Sequence, residues 1–442
     1  MDPTSTVGAP LFRNPTLKNF APRAGFAYSP GAKDGWVARL TGGPSAMSIR
    51  GGAGLYYDPL LYSTYGNMTF KHEPYFKQVR ISNAPFPNVY PLLASGQGLI
   101  DTFAIQFDPK STYVEQYNVN VQRSFSSKLM ITAGYVGSHG VHLWREADLN
   151  NAYPLTPDGT QFAPINNPQR RNPNFANIRM KVADGESFYH AGLFGAQSRL
   201  GGFRAQLSYT YGTSIDDQSS ALGRNEFANG QARTVDPYNR LLNRGRSDFD
   251  IRHNLSINFT YDIPYGTGRD HGADGSAVAR ALAGGWTISG ILSAQSGIPV
   301  SPIYTFDQDR DATTDNEQRP NWAAGVGATT RVNDTQLFDP NAFVLPPVGS
   351  RGNVGRNAID GPGLVSFDPA FVKSLFLDRG SKRSAQLRIE MFNAFNRVNF
   401  AIPSIANLTV FNSPTERNAT AGQITSTSTP ARQVQLALRV LF

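Results

Sequence analysis

Apolar residues take every second position at the C-terminal end of this chain: Val434, Leu436, Leu438, Val440 and Phe442, with Gln433, Gln435 and Arg439 lying between them. An extended segment of this kind has one apolar and one mostly polar face, because successive side chains point to opposite sides. The same period recurs in Phe203, Ala205, Leu207, Tyr209 and Tyr211, set against Arg204, Gln206, Ser208 and Thr210. It returns in Leu255, Ile257, Phe259 and Tyr261, set against Asn254, Ser256, Asn258 and Thr260. Eleven such stretches can be picked out, at 17–28, 46–57, 111–124, 129–140, 188–200, 203–213, 252–263, 285–297, 364–377, 384–395 and 431–442. Each is about ten to fourteen residues long, enough for a tilted strand to cross the hydrocarbon of a bilayer. A soluble strand ending on an exposed aromatic leaves an apolar edge open to aggregation. In a closed membrane barrel the apolar face meets lipid, the polar face lines the lumen and the last aromatic joins an interfacial girdle. The pattern predicts an all-β, antiparallel transmembrane barrel with about 11 strands in this chain.

The connections sharpen that expectation. Short links such as 125–128, 201–202 and 378–383 alternate with long ones such as 141–187, 214–251 and 298–363. The links 29–45 and 264–284 are of intermediate length and fall in short positions. Outer-membrane barrels keep short turns in the periplasm and long loops outside. Soluble domains seldom carry structureless loops longer than about 15 residues. If Phe442 ends in the periplasm, every long link lies outside, and residues 1–16 are the remnant of an extracellular loop. Eleven strands put the two termini on opposite sides, whereas bacterial single-chain barrels have an even number. The expectation is a segment of a longer parent barrel.

Composition narrows the chemistry. The 442 residues include no cysteine, which removes disulfides, thiolate metal sites and cysteine nucleophiles. Charged residues make up 17%, while 42 Gly, 30 Pro, 18 Tyr and 28 Phe give a strand-and-turn composition rich in aromatics. No run of 18 apolar residues occurs, which excludes a transmembrane helix and leaves a strand barrel open. The net charge of +8 suits acidic partners. Lys and Arg are scattered without a run of four, so a nucleic-acid footprint is not expected; lipopolysaccharide phosphates or a polar lumen would use such cations. Met1, Asp2 and Pro3 do not open a secretory signal.

Segments that could carry chemistry have plainer readings beside them. The run 307–317 (DQDRDATTDNE) holds five carboxylates and resembles a calcium loop, but the EF-hand Gly is missing and Arg310 intrudes. A solvated extracellular loop is the expectation. Asp216 and Asp217 could pass for a glycosidase pair, but neighbours on a strand point to opposite faces, and no enzyme is expected. The histidines are His72, His139, His142, His190, His253 and His271; only His139 and His142 are close, and a shared metal would require a turn at Gly140. A polar loop edge is the reading for that pair. Gly51, Gly52 and Gly54 lack the Lys-Ser/Thr of a phosphate loop and mark a bend or a close approach of backbone. Tyr28, Tyr56, Tyr57, Trp144, Tyr211, Trp286, Phe395 and Phe442 are expected in membrane girdles.

Nine segments in order, NFAPRAGFAY (19–28), SIRGGAGLYYDP (48–59), EQYNVNVQRSF (115–125), AGYVGSHGVHLW (133–144), SYTYGTSIDD (208–217), SDFDIRHNL (247–255), GGWTISGILSAQSGIPV (284–300), FNAFNRVNF (392–400) and GQITSTSTPARQVQLALRVLF (422–442), resemble the Oar-like TonB-dependent receptors. That resemblance implies a 22-stranded outer-membrane barrel of a Gram-negative bacterium, of which residues 1–442 match the C-terminal half. It also implies a plug, a TonB box, a regulatory-like domain and a signal peptide, none of which this sequence contains, so TonB would act only through the missing N-terminal region. The implied function is uptake of a large nutrient, such as an oligosaccharide, peptide or chelate, without a cofactor. Residues 431–442, with Val434, Leu436, Leu438, Val440 and Phe442, would be the assembly signal read by the barrel assembly machinery. Outer-membrane lipid and lipopolysaccharide would surround the wall. An adhesion or structural barrel and a secreted carbohydrate-binding β-protein are the alternatives.

Overall fold

The computed structural model describes residues 13, 18–59, 66, 71, 76, 78–80, 87–88, 99–166, 168–220, 234–265, 271, 276–313, 318–325, 332–376 and 384–441. Eleven strands follow one another through a single sheet in chain order. They are β1 (Arg23–Tyr28), β2 (Met47–Tyr57), β3 (Tyr113–Ser126), β4 (Leu129–Asp148), β5 (Phe175–Leu200), β6 (Phe203–Asp216), β7 (His253–Asp262), β8 (Trp286–Gln295), β9 (Leu364–Phe376), β10 (Ser384–Phe392) and β11 (Gln433–Leu441). Every pairing along this path is antiparallel. Each strand falls on one of the alternating stretches. The sheet is open: among the described residues β1 and β11 are its two ends and do not pair with each other.

The registers carry one apolar face across the sheet. Leu207 lies opposite Ala196 and Ile257, Ile257 opposite Leu292, and Leu292 opposite Phe367. Further along, Phe371 faces Ile389 and Ile389 faces Leu436. The other face is mostly polar, with Ser208, Ser256, Ser293 and Ser366 in one row and Gln386 opposite Arg439, although Leu193 and Ile291 also lie on it. A shift of one residue would put each apolar row on the polar side, so the alternation itself selects the register. Along the eleven-strand path, among the described residues, the register slips near the β3–β4 turn and around Val141–Trp144.

The two ends of the sheet differ. At the short-turn end, Gly201 and Gly202 join β5 to β6; Gly201 has φ 58°, the left-handed conformation that a two-residue hairpin needs. The two links of intermediate length hold helices, α1 (Gly35–Thr41) and α2 (Ala277–Ala283). α1 stops at Gly42, φ 86°, whose N–H caps the Ala38 carbonyl. The close approach expected in the glycine-rich stretch is met at Gly51, which pairs with Phe26; a Cβ there would stand 2.6 Å from that ring.

At the long-loop end, β4 and β5 have 20 and 26 residues, far more than the sequence expectation of 129–140 and 188–200. At ~3.3 Å per residue β5 alone spans roughly 85 Å, against about 30 Å of hydrocarbon. The overshoot was hidden because segments such as Arg145–Asp148 and Phe175–Lys181 meet protein instead of lipid and do not alternate. Beyond the end of β6, the strand Leu99–Ile105 takes its place beside β5, pairing in parallel from Ile100↔Phe175 to Ile105↔Lys181. Lys181 Nζ and Glu146 Oε2, 2.7 Å apart, are buried there.

Several positional expectations need correction. Tyr56 pairs with Val114 on the polar face under the Arg23 guanidinium, because it is one residue out of phase with Tyr57 on the apolar face. Trp144 lies in the β4 extension past the irregular register, so it is outside the girdle. His139 and His142 are in β4 and not at a loop edge; the break falls at His142, φ 54°, whose carbonyl accepts from Thr112 Oγ1. Phe442, His72 and the link 378–383 lie outside the described residues.

Leu207 sits mid-strand on the apolar face. Leu207→Arg should lower stability by about 2 to 4 kcal/mol in lipid, read as a fall in the urea midpoint, whereas Gln206→Arg on the polar face should leave that midpoint nearly unchanged.

Candidate functional site

The terminal strand presents what the alternation promised. Val434, Leu436, Leu438 and Val440 point to the apolar face of β11, opposite Met391, Ile389, Leu387 and Ala385 of β10. Leu436 and Leu438 are each 70% exposed. β11 pairs with β10 along one edge, and among the described residues its other edge is unpaired. An extended row of this kind offers both backbone groups and an apolar ridge to a partner strand.

Aromatic groups gather near both ends of the apolar face. Toward the long loops stand Tyr57 and Tyr113, with centroids 5.9 Å apart, and Phe367 and Phe395, 5.5 Å apart. Histidines join this band: the Tyr135 hydroxyl is 2.6 Å from His190 Nδ1, and the Tyr209 hydroxyl is 2.7 Å from His253 Nδ1. At the short-turn end Trp286 Nε1 donates to the Leu282 carbonyl of α2 at 2.9 Å. An amphipathic ring of this kind suits the headgroup level of a bilayer, where one part is wet and the other apolar.

The long links are not free loops. The connection between β8 and β9 and that between β10 and β11 fold together around Val300, Tyr304, Leu337, Phe338, Phe343, Val354, Ile359, Leu408, Val410 and Phe411. Short strands hold this core: Ile303–Tyr304 runs parallel to Thr409–Ser413, and Asn321–Trp322 pairs with Phe343–Val344. The result is a packed cap over the long-loop end.

Buried arginines fasten the other long links to this cap. Arg351 donates through Nη1 to Asp236 Oδ2 (2.6 Å), through Nε to Asp309 Oδ2 (3.0 Å) and through Nη2 to Asp311 Oδ2 (3.1 Å). It also lies 4.8 Å from the Phe162 ring centroid, so one side chain joins three connections. Arg356 donates to Asp216 Oδ1 (2.5 Å), Asp248 Oδ1 (3.0 Å) and the Ser219 hydroxyl. Arg240, only half-buried, does not reach the cap core but ties its own link to β5 through Asp217 and Glu186, at 2.7 and 2.9 Å. Asp216, the last residue of β6, and Asp217, just past it, therefore bond to different arginines.

The expectation of a solvated loop over 307–317 is overturned within its described part: Asp309 and Asp311 are 1% and 0% exposed. Burial pushes the Asp307 carboxyl up to about 7, with the charge of Asp309 adding to it. Asp311 is raised well above the usual carboxylate range for the same reason, Arg351 pulling the other way. Burial also raises Asp217 in spite of Arg240. Spacing could not have found this network, since Arg351 and Asp236 are 115 positions apart.

The geometry is that of a membrane wall with a structured cap, and comparison with known proteins decides the family. A family model described as an outer membrane beta barrel domain matches residues 3–435. The chain belongs to this family of outer-membrane β-barrels. Its place is accordingly the outer membrane of a Gram-negative bacterium, with the apolar face to lipid. No curated protein sequence matches it. Solved structures similar to this outer-membrane barrel include the outer membrane transporter YddB from Escherichia coli, at 11% identity and TM-score 0.44, covering 90% of this chain and 38% of that one. The FrpB iron transporter from Neisseria meningitidis has 11% identity and TM-score 0.39, covering 95% and 39%. A mutant of the ferric enterobactin receptor PfeA from Pseudomonas aeruginosa has 9% identity and TM-score 0.44, covering 96% and 40%. The chain thus spans well under half the length of each.

Removing the Arg351 guanidinium strands buried carboxylates, a change that costs about 3 to 5 kcal/mol. Arg351→Ala should make the link 298–363 cleavable by external proteinase K at doses that leave the parent protein intact, while fragments of the strands stay protected.

Proposed function

We propose that this chain is the C-terminal half of the wall of a TonB-dependent outer-membrane receptor of the Oar-like kind, and that its cap takes part in recognising and admitting a large nutrient. The observation that carries this reading is the open sheet of eleven strands with one predominantly apolar face. Lipid cannot satisfy the backbone groups of an open edge, so a sheet of this kind needs further strands to close, and eleven more make a barrel of 22. The ordered run of Oar-like motifs supplies the same number. In this reading the long-loop end faces the exterior, the short turns face the periplasm, and TonB acts through a plug carried outside this sequence. The substrate class is a large solute such as an oligosaccharide, a peptide or a metal chelate. The chain's own part is binding and passage.

Immunoblotting an outer-membrane fraction with an antibody against the denatured segment 307–321 tests the reading. The expected band is at least twice the 48.2 kDa of this chain. A band near that mass would favour a plugless structural or adhesion barrel and would sink energised uptake.

The apolar row of β11 is proposed as the signal read by the barrel assembly machinery, with Phe442 completing it. Phe442→Asp should cut the amount of protein in the outer membrane several-fold at equal synthesis. Unchanged outer-membrane levels would refute that role.

A further inference from the structure

The cluster around Arg351 is crowded with carboxyl groups. Asp236, Asp309 and Asp311 bond to Arg351, Asp307 adds its charge to Asp309, and Arg310 acts on Asp307. Among the described residues these four carboxyl groups crowd about Arg351 and Arg310, and Asp309 and Asp311 are buried, where mutual repulsion is costly. One oxygen from each of Asp307, Asp309 and Asp311 can be chosen so that all lie within 4.8 Å of one another. Oxygens bound to one calcium ion at about 2.3 to 2.6 Å stand no more than roughly 5 Å apart. A single ion can therefore reach all three.

A separate observation points to the same place. The hydroxyl of Tyr304 is buried, with the residue 1% exposed, and has no hydrogen-bond partner. It lies in the field of Asp309, Asp311 and Asp307, strongest first. A buried phenol without a partner is rare in a settled fold, and water held on a cation among these carboxylates would supply one. Oδ1 of Asp307 is buried and unpartnered as well.

We propose that Asp307, Asp309 and Asp311 bind a calcium ion, and that Tyr304 hydrogen-bonds to water in its shell. All-oxygen ligands on a loop favour calcium over zinc, which prefers nitrogen and sulfur, and over magnesium, which demands a tighter octahedron. The three carboxylates stand at the first, third and fifth places of their run. At the sixth, where an EF-hand uses Gly, Ala312 adopts φ 69°. The ion would offset the mutual repulsion of these carboxylates and, if the long-loop end faces outside as proposed above, would bind with an affinity on the order of 10⁻⁴ to 10⁻³ M, as in extracellular modules.

The test uses the full chain extracted in detergent and stripped with EGTA. Calorimetric titration with calcium chloride should show one site, weakened at least tenfold in Asp307→Asn and at least tenfold weaker for magnesium. Terbium bound to the unmutated chain should luminesce when tyrosine is excited, and calcium should displace it, which keeps the test sound if the variant fails to fold. Equal calcium affinity in the chain with and without Asp307→Asn would overturn the proposal. Absence of both binding heat and terbium emission in the unmutated chain would do the same.

Discussion

Everything in this structure depends on the need of backbone N–H and C=O groups for partners where no water can reach them. In hydrocarbon each unpaired group costs several kcal/mol, which leaves a closed antiparallel ladder as the workable strand arrangement. The chain meets that need for ten successive pairings by returning on itself at each turn. Because the pairing is obligatory, the side chains are free to do one thing only, which is to sort by polarity. Ser208, Ser256, Ser293 and Ser366 fall into one row and Leu207, Ile257, Leu292 and Phe367 into another, and that sorting selects the register.

Outside the bilayer the constraint is reversed. Water is present, the ladder is no longer compulsory, and long links must be held by their own contacts. They use a small apolar core around Phe338 and Phe343 together with buried ion clusters at Arg351 and Arg356. Buried charge is a poor source of net stability, because desolvation offsets most of the attraction. Its geometric demand is strict, however: the guanidinium of Arg351 is satisfied only when the links bearing Asp236, Asp309 and Asp311 are all in place. The cap is thereby tied to one arrangement.

Wall and cap are joined by β4, which leaves the membrane portion and runs on past an irregular register at Val141–Trp144, and by β5, which returns from the extension into the wall. Arg356 adds a second tie, since Asp216 is the last residue of β6. This coupling is what the proposed receptor needs if occupancy outside is to be sensed within the lumen.

The sequence by itself determined the eleven strands, their faces, the alternation of short and long links and the outer-membrane setting, because lipid on one side and water on the other imprint a period of two that is local in the chain. Its few errors at the wall, such as Tyr56 and Trp144, came from reading aromatic residues by their place at strand ends without their phase. What only the tertiary structure decided is the cap. Arg351 and its carboxylates have no local pattern, since they meet across links far apart in the chain. The acidic run 307–317 therefore looked solvated by composition, while Asp309 and Asp311 are among the most deeply buried groups in the molecule. Burial of a charge is decided by the partner that reaches it, and that partner is specified by the fold.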